Sequence, residues 1–277
     1  MVSGQPQTVL EAKRGLSSLG LAEVWAYRDL LWMLASRDVR VRYKQSLLGG
    51  LWALIVPVAQ LIVFTFVFGD LLGVSKLTDP VFLYAGLLPW TFFAASVNAS
   101  TQSLVANAGI LQKVYFPRLI VPLSSVGAPL VDYALAFTVL LSLMLWQGSV
   151  LSLSLFLLPM LVLMTIIAAL GVGVLLSSLT VKYRDFRHLV PFMVQLWFFL
   201  TPVLWSVGQE GKMQDWRWAW VVRLNPMGGT VQAFRSCVLG GQIDWTSLLW
   251  SGSMAMLCLL LGIVIFKRFE RDFADII

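Results

Sequence analysis

Six apolar runs, each near the length a helix needs to cross a bilayer, constrain this chain more than anything else in it. They fall at about 48–70, 81–104, 119–146, 151–179, 189–207 and 246–266, where roughly 20 apolar residues suffice to cover ~30 Å of hydrocarbon. Backbone polar groups inside lipid must pair within the protein, so only helices or closed barrels can span. A barrel would show ~10-residue alternating segments, and the sequence shows none. Only 12% of residues are charged against 58% hydrophobic, about half the charged share of a soluble domain. The expectation is an all-α polytopic membrane protein with six transmembrane helices.

Orientation follows from the cations, because cytoplasmic connections carry an excess of Lys and Arg. One side collects Lys13, Arg14, Arg28, Arg37, Arg40, Arg42 and Lys44 before the first span. It also takes Lys113 and Arg118, then Lys182, Arg184 and Arg187, then Lys267, Arg268 and Arg271 in the tail. The other side has Lys76, Lys212, Arg217, Arg223 and Arg235. The bias, about three to one, puts both termini in the cytoplasm. The net charge of +6 therefore reflects topology and anionic lipid, and no nucleic-acid-binding module is visible. Residues 1–24 are polar and lack an apolar h-region, so they read as a flexible cytoplasmic N-terminus without a cleavable signal. The first span then acts as an uncleaved anchor, and residues 25–277 form one transmembrane domain.

Residues 25–45 form an amphipathic interfacial helix. Arg37, Arg40 and Lys44 share one face at i, i+3 and i+7, and Asp38 and Arg42 can pair at i, i+4. Tyr27, Leu30, Leu31 and Leu34 make an apolar stripe. Such a helix lies on a membrane, stripe in lipid and cations toward head groups. The alternative is a juxtamembrane charge cluster that only sets orientation.

Three other places stand out. The connection from Val105 to Arg118 is too apolar for a solvated turn, with Ile110, Leu111, Val114, Tyr115 and Phe116 around Lys113. Asn107 can cap a short helix there and Pro117 can end it. Such a knob needs a partner, lipid or protein; a tight interfacial elbow is the other reading. Asp132 is the one carboxylate well inside an apolar run, so it faces the bundle or a water-filled cavity. No basic intramembrane partner is visible for it, which favours a hydrogen bond to a neighbouring helix. Gly171 and Gly173 permit close helix contact. The long connection 208–245 carries Trp216, Trp218 and Trp220, the turn Asn225-Pro226, and a segment Thr230–Leu239 between glycine pairs. It reads as two short re-entrant helices dipping toward the outer face, packed on protein or lining water. An amphipathic helix resting on the outer leaflet is the alternative.

Several chemistries are excluded. Gly208-Gln-Glu-Gly211-Lys212 has the wrong spacing for a phosphate-binding loop, so the chain should not bind ATP itself. With His188 as the only histidine, a nitrogen-rich metal site is implausible and no nucleophile–His–acid set exists. Cys237 and Cys258 offer no disulfide framework. Asn98-Ala-Ser100 fits a glycosylation sequon by chance, within the membrane. What the chain has in abundance is aromatics, 12 Trp and 17 Phe. Their faces suit sugar rings, although many membrane aromatics face lipid.

Several short runs, taken together, resemble a known family. They are Tyr27-Arg28-Asp29-Leu30-Leu31, the stretch from Arg37 to Gly49 with Trp52, Gly86 to Phe93, and Tyr183-Arg184-Asp185. Thr201-Pro202-Val203, Asn225-Pro226-Met227 and Phe234-Arg235 complete the set. The pattern resembles the membrane subunits of ABC-2-type exporters for polysaccharides and polyol phosphates, O-antigen exporter permeases above all. The resemblance implies a homodimer in the bacterial inner membrane with two copies of a cytoplasmic ABC ATPase. ATP and Mg would be bound by that partner and no cofactor by this chain. The cargo would be a lipid-linked polysaccharide: O-antigen first, capsule or teichoic acid next. Asn107, Ile110, Leu111, Lys113, Val114, Tyr115, Phe116 and Pro117 would form the ATPase-coupling loop, and Arg37, Arg40, Arg42 and Lys44 the basic face of the interfacial helix. Phe64, Phe66, Phe68, Trp90, Phe92, Phe93, Trp197 and Phe198 would be candidates for the path. Trp216, Trp218, Asn225, Pro226, Phe234 and Arg235 would belong to an outer gate. Two rivals stand beside this: an ABC-2 exporter of small drugs or lipids, and a membrane enzyme or scaffold of lipid-linked sugar assembly.

Overall fold

A computed structural model describes residues 21–44, 49–71, 73, 79–148, 153–205, 220 and 224–270. Those residues are helical with no strand among them. Helices α1 (Leu21–Ala26) and α2 (Arg28–Tyr43) precede the first apolar helix, α3 (Trp52–Phe64), which continues as a wider π-helical turn over Thr65–Leu71. Then come α4 (Pro80–Ala106), the short α5 (Ala108–Leu111), α6 (Ile120–Ser124), α7 (Gly127–Trp146) and α8 (Leu158–Lys182). The chain ends with α9 (Phe186–Leu200), α10 (Gly228–Leu239) and α11 (Trp245–Phe269). Helix starts with Leu21, earlier than the expected 25, and residues 1–20 lie outside the described residues.

Five segments are long and apolar enough to cross a membrane: Gly49–Gly69, Pro80–Ala106, Ile120–Trp146, Leu153–Lys182 and Trp245–Phe269. The run expected at 189–207 is instead a shorter apolar helix, Phe186–Leu200. It stops there for a local reason. A residue before proline is pushed out of the helical region, and Thr201, before Pro202, is extended at φ −94°, ψ 140°. Other ends are also written locally. Asp79 accepts a hydrogen bond from the backbone N of Val81 with Pro80 at the first helical position, and Asp244 accepts from the backbone N of Thr246 and Ser247.

Helix α4 is the centre of the bundle, buried along most of its length, and packs on α7, α8 and α10. Helix α8 lies between α4 and α11, with its closest approach at glycines. A Cβ on Gly171 would sit 2.5 Å from the backbone N of Leu259, and one on Gly262 would sit 2.6 Å from the carbonyl O of Gly171. Without a hydrophobic drive between helices in lipid, such backbone-close packing is a main source of association.

The segment after α9 is tied in by polar bonds. Asn225 donates to the Thr201 hydroxyl at 2.8 Å and accepts from the backbone N of Met227, which builds the turn. Ser251 joins the carbonyl of Asn225 to the backbone N of Gly229. Helix α10 is buried against α4 and α11, so the described half of the expected re-entrant pair packs on protein rather than resting on the outer leaflet. The other expected short helix, with Trp216 and Trp218, lies outside the described residues.

Gly171→Ala should lower the unfolding midpoint in detergent by the equivalent of about 1–3 kcal/mol, because the new methyl meets backbone that cannot give. Gly109→Ala, where an added Cβ meets nothing within 4 Å, should leave the midpoint unchanged.

Candidate functional site

A cavity of about 670 Å³ opens between α3, α4, α7 and α9 and reaches the end of α2. Phe64, Trp90, Phe92 and Phe198 of the expected aromatic set line it, and Trp52, Tyr43, Tyr133 and Phe199 join them. Phe64 and Phe198 are stacked at 5.8 Å with Trp90 5.9 Å from Phe198, and Phe92 packs on Tyr133 at 5.2 Å. Four expected residues do not line the cavity. Phe66 points outward and is 60% exposed, while Phe93 is fully buried and packs edge-on against Trp197 at 5.3 Å. Phe68 packs beside Phe64 at 5.8 Å. Alternation along a span separates outer from inner faces only when the helix neighbours are known, and sequence does not supply them.

The mouth of the cavity holds a charged cluster that corrects two expectations. Asp132 on α7 does have a basic partner: Arg42 Nη1 lies 2.6 Å from its carboxylate, and the Tyr43 hydroxyl donates to its other oxygen. Arg42 therefore does not pair with Asp38, which is held by Arg37 at 2.8 Å. That partner is not legible from the apolar runs, because it sits on α2 rather than on a span. Burial, and then the hydrogen bond to Asp132, push the Tyr43 hydroxyl up to about 12, so it stays protonated and donating near neutral pH. Close seating makes the reach possible: a Cβ on Gly127, at the start of α7, would lie 2.9 Å from the Ala35 Cβ on α2.

The rest of α2 also departs from a helix merely lying in lipid. Leu34 is buried, and Leu30 and Leu31 pack with Ile110, Leu111 and Phe116 in a second core cluster. The three leucines of the expected stripe thus face protein, while its first member, Tyr27, is exposed together with Trp25, Trp32, Met33 and Val41. Arg40 and Lys44 remain exposed, while Arg37 turns inward and donates to the Asn107 side chain at 2.6 Å.

Asn107 does not cap α5. Its amide donates back to the carbonyl of Ser103 at 2.8 Å, and its oxygen is taken by Arg37. The loop that follows divides. Lys113, Val114 and Tyr115 are exposed, Tyr115 by 80%, whereas Phe116 and Pro117 are buried against the bundle and Ile110 and Leu111 are half-buried. The far end of the loop is fixed too: Arg118 donates through its backbone N and Nη1 to Glu270, whose carboxylate also pairs with Lys267 at 2.7 Å.

At the opposite end, Arg235 is buried and donates to the carbonyls of Phe82, Pro202, Val203 and Trp205, with its guanidinium 4.0 Å over the Phe82 ring. Asn225, Pro226 and Phe234 are buried as well. These four members of the expected outer gate hold the turn after α9 against α4 and α10. Ser100, of the sequon, is fully buried.

Five helices long and apolar enough to cross a membrane, around an aromatic-lined cavity, are the plan of a multi-pass membrane protein. Residues 29–239 match the ABC-2 type transporter family. The chain belongs to that family, which makes it a transporter subunit rather than an enzyme of lipid-linked sugar assembly. It is 29% identical over 250 residues to the O-antigen export system permease protein RfbA of Klebsiella pneumoniae, covering 90% of this chain and 95% of that protein. It is 28% identical over 256 residues to the protein of the same name from Myxococcus xanthus, covering 91% and 97%. It is 24% identical over 243 residues to the polysialic acid transport protein KpsM of Escherichia coli, covering 85% and 91%.

Asn107→Ala should free the start of the loop from α2, at a cost of about 1 kcal/mol. Limited trypsin digestion should then cut after Lys113 faster than in the wild type, with overall helicity unchanged.

Proposed function

We propose that this chain is the membrane-spanning subunit of an ATP-driven exporter that carries a lipid-linked polysaccharide out of a bacterial cytoplasm across the inner membrane. O-antigen on a lipid carrier is the first choice of cargo, because relatives at 28–29% identity are named O-antigen export permeases. Capsule and teichoic acid follow. The observation that carries the reading is the aromatic-walled cavity, open on one side, in an ABC-2 family chain. Two copies of the chain would close such cavities into a path between them. Aromatic faces hold sugar rings through apolar contact without fixed charge. Weak, repeated contacts let a polymer move through without stalling.

The energy would come from a separate subunit. Two cytoplasmic ABC ATPases, holding ATP and Mg, would dock on the exposed Lys113-Val114-Tyr115 tip, with both termini of this chain on the same side. Their closure would push the loop, and its fixed ends at Arg37 and Glu270 would pass that motion to α2 and α11. The pair Arg42–Asp132 then carries it from α2 to the mouth of the cavity.

Co-expression with a candidate cytoplasmic ABC ATPase from the same organism tests the reading. The wild type should co-purify with the ATPase, and a Lys113→Glu/Tyr115→Ser variant should lose at least ten-fold of the bound partner while still folding. An ATPase that binds neither form would overturn the exporter reading; one that binds both equally would remove the docking site.

A further inference from the structure

The cavity carries charged side chains only as a closed pair. Among its described lining residues, Arg42 and Asp132 are the only ionisable groups of opposite charge, and they neutralise each other at 2.6 Å. The remaining polar lining is neutral: Gln60, Thr91, Asn98 and Gln195, with the tyrosine hydroxyls. Of these side chains, Gln60 and Gln195 are exposed to the cavity, whereas the Asn98 amide already donates to the carbonyl of Ala94 at 2.9 Å.

We infer that this cavity selects neutral, hydroxyl-bearing pyranose units and disfavours polyanionic glycans, with the exposed lining rings Trp52 and Phe199 as stacking faces and Gln60 and Gln195 as hydroxyl partners. The inference rests on the exporter reading and narrows its cargo. Sugar hydroxyls both donate and accept, so they match carboxamides, which offer both functions. The ring C–H face suits the aromatic wall. An anionic ring would have to leave water for an apolar wall whose one cation is already claimed by Asp132, a desolvation with no compensating charge. The volume, about 670 Å³, lies within the range of cavities that enclose small organic ligands, enough for a short run of rings rather than a single one.

The test uses the full chain in detergent at low salt and pH 7. The probes are a linear glucose oligomer, neutral, and a size-matched galacturonate oligomer that differs by a carboxylate on each ring. Saturation-transfer NMR reads contacts of millimolar strength. The neutral probe should bind at least ten-fold more tightly than the anionic one. Gln60→Leu and Gln195→Leu should each weaken it several-fold, and Ala95→Lys, which adds an unpaired cation to the lining, should reverse the preference. Equal or tighter binding of the anionic probe to the wild type overturns the inference. So does binding of neither probe, or neutral binding that ignores both leucine variants. Co-purification of the ATPase separates the two readings: if it persists while the anionic probe wins, the exporter stands and the neutral-glycan selection falls. If neutral binding holds but no ATPase is captured, the exporter reading is what fails.

Discussion

A carboxylate placed in an apolar helix must be answered by another group, and the answer to Asp132 organises this molecule. An ionised acid facing hydrocarbon is costly. Here Arg42 and Tyr43, adjacent on α2, reach the two oxygens of Asp132 on α7. The cluster is only partly buried, since Arg42 remains 43% exposed, so its role is less to add stability than to fix position. It seats the end of the interfacial helix on the mouth of the aromatic cavity. It also leaves that cavity with no net charge.

The same helix is held a second time at its middle, where Arg37 bonds Asn107 at the start of the exposed loop. Two polar fastenings on one rigid helix make a lever between loop and cavity. The loop's other end is fastened to the last helix through Glu270. The exposed tip Lys113–Tyr115 is thereby tied to α2 on one side and to the end of α11 on the other. At the far end, Arg235 spends its donors on four backbone carbonyls. The turn after α9 is thereby held where the pre-proline Thr201 breaks the helix. The bundle between these ends is stiffened by the glycine contact of α8 and α11.

Much of this was legible in the sequence. Hydrophobic run length located the apolar helices, because bilayer thickness and backbone pairing leave little freedom. Gly171 was readable as a close-contact position because a missing side chain in an apolar helix has few other uses. The fifth run was misjudged in extent, since hydropathy continues past Leu200 while Pro202 acts on Thr201 through sterics alone. Side-chain partners were the least legible. Arg42 could equally have met Asp38 one turn away on its own helix, and only the packing of α2 on α7 decides for Asp132. Likewise, Asn107 has the chemistry of an N-cap, but Arg37 and the Ser103 carbonyl compete for it and win. The aromatic path was half legible: a Phe-rich span announces an aromatic wall, but Phe64 and Phe66 look alike until the neighbouring helices assign their faces.

The most direct measurement is a charge-swap cycle on the pair that seats α2. The unfolding midpoint of the detergent-solubilised chain would be compared for Arg42→Asp, Asp132→Arg and the doubly swapped form. Each single reversal places two like charges face to face and should lower the midpoint clearly. The swapped form should recover most of the loss, because the attraction is restored with its polarity inverted. Losses that simply add in the double variant, or single reversals as stable as the wild type, would contradict the view that this pair holds the interfacial helix to the cavity.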